Sequence, residues 1–194
     1  MTGVRALKAL IFAAGSVGGL SGAAYGLLTG QSRRARSIIG MPRNLPLNAD
    51  GLYCPDGSGP FPTNRDGHSL SFAMLGDSLA AGLGAELPDQ LPGVRLARGL
   101  ADELDQPVRL VTHAISGSRT KDLEQQVDRA LIDPPDLALV IIGGNDVTTR
   151  TSIGTSAAIL GRQVTRLKDA GTTVVVGTCP DLAIIQPIPS RCGR

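Results

Sequence analysis

Four short aliphatic runs, residues 70–75, 108–115, 137–142 and 172–177, are separated by stretches of helical periodicity. A strand that returns parallel to its neighbour needs a crossover of a dozen residues or more, usually a helix. Repeated strand–helix–strand units with near-continuous apolar strands therefore predict an α/β domain, a doubly wound, flavodoxin-like parallel sheet with helices on both faces. The helices read as residues 94–104, with Leu96, Leu100 and Leu104 on one face, then 123–131, with Leu123, Val127, Ala130 and Leu131 inward, then 156–170, closed by Gly171. Asp133-Pro134-Pro135 stops the second of them.

Upstream of residue 70 the pattern changes twice. Residues 9–32 carry no charge, with Arg5 and Lys8 before them and Arg33, Arg34 and Arg36 after. That is long enough to cross a bilayer, which takes about 20 apolar residues. Residues 1–38 accordingly read as an anchor, held in the membrane through residues 9–28, with the C-terminal part exported to the cell envelope. A cleavable export signal ending near Ser21-Gly22-Ala23 is the alternative. The glycine density between Gly15 and Gly30 argues against a soluble core helix. Residues 39–69, rich in Pro, Gly, Asn and Asp, read as a partly extended tether lying against the domain formed by residues 70–194.

Composition narrows the partners. Hydrophobic residues make up 42% of the 194, but aromatics only 3%, with no tryptophan, so the core is aliphatic and an aromatic platform for bases or sugars is disfavoured. Nineteen basic against seventeen acidic residues give a net charge of +2, which speaks against nucleic acid. Cys54, Cys179 and Cys192 form no Cys-x-x-Cys pair and there is no histidine cluster, so no metal is expected. Cys179 and Cys192 could pair in an oxidising compartment, though three incidental thiols are the preferred reading.

Ligands of such sheets bind beyond the C-terminal ends of the strands. Three runs end there in small polar stretches: Gly76-Asp77-Ser78, Ser116-Gly117-Ser118 and Gly143-Gly144-Asn145-Asp146. A serine can attack a carbonyl, a glycine N–H can approach an oxyanion closely, and an asparagine amide can donate to it. If a helix begins just after Ser78, its N-terminus would favour the same negative charge. The plain alternative is that Asp77 or Ser78 merely caps that helix.

Gly76-Asp77-Ser78, His113-Ala114-Ile115-Ser116-Gly117 and Gly143-Gly144-Asn145-Asp146 together, in this order, resemble the SGNH, or GDSL, hydrolases. The resemblance covers about residues 70–180, and the leader, the tether and Ala80-Ala81-Gly82-Leu83-Gly84 are similar to actinobacterial members. It implies a serine esterase or lipase acting on a small-molecule or lipid acyl ester, with no metal or organic cofactor. It further implies that Ser78 is the nucleophile, and that the N–H groups of Ser78 and Gly117 and the side-chain amide of Asn145 form the oxyanion hole. Asp77 and Asp146 are expected to hold loops.

The family's Asp-x-x-His block, which supplies the general base, has no counterpart here: Asp181 is followed by Ile184, and no histidine follows His113. The domain thus reads as shortened, lacking its last strand and helix, with impaired catalysis. His113 is expected to be a structural histidine bonded within the sheet, and His68 a solvated loop residue. The rival readings are an inactive membrane-tethered ligand-binding domain and a non-functional truncation product.

Overall fold

The computed structural model describes residues 45–62, 68–149 and 151–177, together with the helical residues Gly26, Gly30, Gln31 and Arg34. Apart from those four, the expected membrane segment lies outside the described residues, as do Cys179 and Cys192. Among the described residues no helix is long and apolar enough to cross a membrane. The chain divides into two units, 1–41 with 181–194, and Pro42–Pro180, and the second contains all that follows.

Its strands are β1 (Gly51–Tyr53), β2 (Leu70–Gly76), β3 (Val108–Thr112), β4 (Leu137–Ile141) and β5 (Thr173–Gly177). They lie in the order β1-β3-β2-β4-β5, with β1 antiparallel to β3 and every other pair parallel. The helices are α1 (Pro92–Leu104), α2 (Leu123–Ala130), the short α3 (Gly144–Thr148) and α4 (Ile153–Asp169). Since β2 begins the parallel set and lies inside it, the chain reverses direction across the sheet between β3 and β4. This is the switch point outside which such folds bind ligands.

The two-residue period of β2 sends alternate side chains into two apolar layers. Phe72 and Met74, with Val108 and Leu110 of β3, pack against Val94, Ala97 and Ala101 of α1. Ala73 and Leu75, with Ala138 and Val140 of β4, pack against Leu123, Val127 and Ala130 of α2 and Leu167 of α4.

Several sequence expectations change. The inward stripe of α1 is Gly93, Val94, Ala97 and Ala101, while Leu96 and Leu104 are exposed. Small residues let this helix lie close to the sheet: a Cβ on Gly93 would stand 3.2 Å from both Leu110 and Met74. The run 172–177, expected to be buried, forms a β5 whose Val175 and Val176 are 51% and 41% exposed. β4 alternates buried and half-buried residues along its length.

The stretch read as a tether contributes β1, the antiparallel edge. Tyr53 is fully buried there, its hydroxyl donating to the Ala49 carbonyl at 2.6 Å, and the Asp50 carboxylate accepts the Thr112 N–H at 3.0 Å. The last long helix starts earlier than expected, at Ile153, because the Ser152 hydroxyl accepts the Thr155 N–H as its cap. Its end is a Schellman motif around Gly171 at φ +91°, with Gly171 N–H donating to Lys168 and Thr172 N–H to Leu167.

Candidate active site

Strand β2 ends at Gly76, in a conformation only glycine tolerates. Its φ is +139°, and a Cβ would stand 1.8 Å from the Ile141 carbonyl oxygen. The buried Gln126 side chain of α2 grips both its backbone groups: Oε1 accepts the Gly76 N–H at 2.7 Å, and Nε2 donates to the Gly76 carbonyl at 2.9 Å. The next residue is tied across the sheet by the Asp77 N–H donating to the Ile141 carbonyl at 3.0 Å. Asp77 is buried, and its carboxylate accepts the Leu79 N–H in a tight turn.

No α-helix starts after Ser78. Residues 78–84 form successive turns, with Gly82 and Gly84 at positive φ, a conformation that interrupts a right-handed helix. The expected helix N-terminus is therefore replaced by a looped serine. Ser78 is half-buried and lines a cleft of about 330 Å³ with Leu79, Gly82, Leu83, Gln90 and Pro92.

The second strand-end loop folds back on the first. The N–H groups of His113 and Ala114 share the Met74 carbonyl, and the Ile115 N–H donates to Gly76 O at 3.1 Å. The turn closes with Ser118 N–H on the Ile115 carbonyl and Gly117 at φ +85°. Open space surrounds the position of a Gly117 Cβ, so glycine is required there by conformation and not by crowding.

The third loop turns at Gly143, φ +126°, into α3. Asn145 is half-buried, and its side-chain Nδ2 donates to the Ser118 carbonyl at 2.9 Å. Asp146 is buried, accepting the Thr120 N–H at 2.9 Å and its hydroxyl at 2.8 Å on one oxygen, and the Ser156 hydroxyl on the other. Both aspartates therefore serve loops, as their turn positions led one to expect. The network closes where Gln126 Nε2 also reaches Ser118 Oγ at 3.1 Å.

Of the three candidate site residues, the structure joins the loops of Gly117 and Asn145 directly through Ser118, and both to the Ser78 loop through Gln126 and Gly76. Neither Gly117 nor Asn145 lines the cleft that Ser78 lines. Neither histidine of the chain lines it either. His68 is exposed, and His113 lies just beyond β3, half-buried, lining a different cleft with Arg109 and Arg129. Its ring has no hydrogen-bond partner among the described residues, which corrects the expectation of a ring bonded within the sheet. Burial holds its pKa below the usual histidine value; Asp50 opposes this and Arg129 adds to it.

Gln126 is the residue that sequence reasoning passed over. Its signal was a polar side chain on the inward stripe between Leu123 and Ala130, where an amide is buried only if it is bonded. Among the described residues, no group of three His, Cys, Asp or Glu side chains is placed to hold a metal ion.

The family model described as GDSL-like lipase/acylhydrolase matches residues 74–193, more than half of the chain. This chain belongs to that family. The GDSL-like chain is 42% identical over 172 residues to a GDSL-like esterase of Mycobacterium tuberculosis, an alignment covering 86% of this chain and 54% of that relative. It thus spans about half the length of the curated relative it matches. Among solved structures, AlinE4, an SGNH-hydrolase family esterase, superposes with a TM-score of 0.51 at 24% identity, over 58% of this chain and 60% of its own. TesA does so with a TM-score of 0.50 at 25% identity, over 55% and 58%. The sheet and its flanking helices are accordingly those of the SGNH-hydrolase fold.

Proposed function

We propose that this chain carries the nucleophile and oxyanion-binding part of an SGNH-type serine esterase or lipase. In this reading Ser78 Oγ adds to the carbonyl carbon of an acyl ester. The tetrahedral oxyanion is held by the N–H groups of Ser78 and Gly117 and by the Asn145 amide, the alcohol leaves with a proton, and water then releases the acid from the acyl-serine. The observation that carries the reading is the hydrogen-bonded union of the three strand-end loops through Gln126, Ser118 and Asn145. Electrostatic stabilisation of this kind depends on donors fixed before the reaction.

Turnover by this chain is expected to be weak, because among the described residues neither histidine is bonded to Ser78: His68 is exposed and His113 lines a different cleft with Arg109 and Arg129. Loss of a triad base in serine hydrolases lowers kcat by about 10⁴–10⁶ and leaves a residual rate from the oxyanion hole and binding. The same observation favours a second reading, a membrane-tethered domain that binds an ester in this crevice without cleaving it. Placement at the cell envelope rests in both readings on the uncharged segment 9–32.

Fluorophosphonate labelling of the full chain, compared with Ser78→Ala, tests the first reading. Slow labelling that vanishes in the variant supports it. Labelling that persists in Ser78→Ala, or none in a chain shown folded by circular dichroism, rejects Ser78 as a nucleophile. In the latter case, protection of the cleft by a short-chain ester would support the binding reading.

A further inference from the structure

A second cleft, of about 320 Å³, opens on the α2 face of the sheet and is lined by β2, β3 and the end of α2. This volume lies at the lower end of the range of small-molecule sites. Ala73, Val111, Ile132 and Pro135 give it an apolar lining, and Ile132 is 84% exposed. Three nitrogen-bearing side chains, Arg109, Arg129 and His113, face the same space.

These groups differ in how firmly they are held. Arg109 is fixed: its Nη2 donates to Ser71 Oγ at 2.8 Å and pairs with Asp133 at 2.7 Å. A guanidinium has five N–H donors, so Nε and Nη1 keep donor capacity. Arg129, exposed in the last turn of α2, makes no ion pair among the described residues. Asp133 is the one carboxylate lining the cleft, and it is already committed to Arg109. The carbonyl end of α2 disfavours an anion only weakly, and Arg129 in that turn opposes it.

We propose that this cleft binds a small carboxylate bearing a short apolar chain, its charge met by Arg109 and Arg129 and its chain lying on Val111, Ile132 and Pro135. The site is separate from the Ser78 cleft and does not depend on the chemistry assigned there. His113 is its built-in reporter. The charged groups around that ring are Arg109, Arg129 and Asp133 in the cleft and Asp50 ahead of β1, and burial disfavours its protonation. An anion bound beside it stabilises the protonated ring, so occupancy raises its pKa and binding tightens as pH falls.

The test is a titration of the 194-residue chain with sodium hexanoate, following the ring resonances of its two histidines by NMR, with 1-hexanol as the uncharged control. The expected result is a saturable movement of His113 and not of His68, a rise in the His113 pKa at saturation, and about tenfold weaker binding in Arg129→Ala. Arg129 makes no ion pair among the described residues, so that variant is expected to keep its fold, which circular dichroism checks. A His113 resonance that hexanoate leaves in place, or moves no further than hexanol does, overturns the proposal. So does unchanged affinity in a folded Arg129→Ala.

Discussion

At the scale of single residues, two glycines of the site are constrained for different reasons, and substitution separates them. Gly76→Ala drives a methyl into the Ile141 carbonyl, so it is expected to cost about 3 kcal/mol or more, measured by urea unfolding. Gly117→Ala meets no neighbour and is strained only by its φ of +85°, so its cost should be about 1–2 kcal/mol. On the proposed chemistry it nevertheless slows Ser78 labelling, because relaxing that φ re-aims an oxyanion donor. Asn145→Ala is expected to slow the same labelling by about 10²–10³. The turns that carry these three positions were legible in the sequence because short polar stretches follow the apolar runs. Gln126 was not, since the Gly76 backbone atoms it holds are fifty residues away and no local pattern reveals them.

His113 adds a pH dependence at the same scale. Its native pKa lies below the unfolded value of about 6.5, so the unfolded chain binds the proton more tightly. The stability this provides is complete above about pH 6.5 and is lost as pH falls through the native pKa. The melting temperature of the wild type should therefore fall more than that of His113→Gln between about pH 7 and pH 5. An equal fall in both would show that the ring titrates alike in the folded and unfolded chain.

Among the elements, α1 shows where periodicity misleads. Its leucines recur every four residues, yet the face that meets the sheet is Gly93, Val94, Ala97 and Ala101, because a helix lying close over β2 and β3 leaves little room for larger side chains. Ala97→Leu should thus destabilise the domain by about 1–3 kcal/mol, whereas Leu96→Ala should change it little; thermal unfolding distinguishes them. Helix α2 shows the converse, a polar residue where an apolar one fits the stripe. Gln126→Met leaves the Gly76 N–H without its partner, while the Gly76 carbonyl keeps the Ile115 N–H, so the cost should be about 1–3 kcal/mol for the one buried group left unmet. β1 escaped the sequence reading because three residues between proline- and glycine-rich turns carry no period. Its pairing is fixed by distant groups, Thr112 N–H on Asp50 among them.

For the molecule as a whole, the parallel sheet was written in the spacing of the aliphatic runs, and its order follows from the connections. What spacing did not reveal was exposure: β5 looks as apolar as β4, but as the last strand in the described sheet order it leaves two valines half in solvent. The sheet's switch point and the three polar loops coincide, so the position of the candidate site follows from topology before any side chain is considered. The bond between Gly76 and Gln126 has a consequence for motion. The Gly76 amide, at the very end of a strand, is held by a helix and not by a neighbouring strand. It can exchange its hydrogen with solvent only when α2 lifts off the sheet, so its exchange rate should match that of the amides of α2 rather than those of fraying strand ends. The site loop would then loosen when that one helix does, at temperatures where the sheet beneath it is still intact.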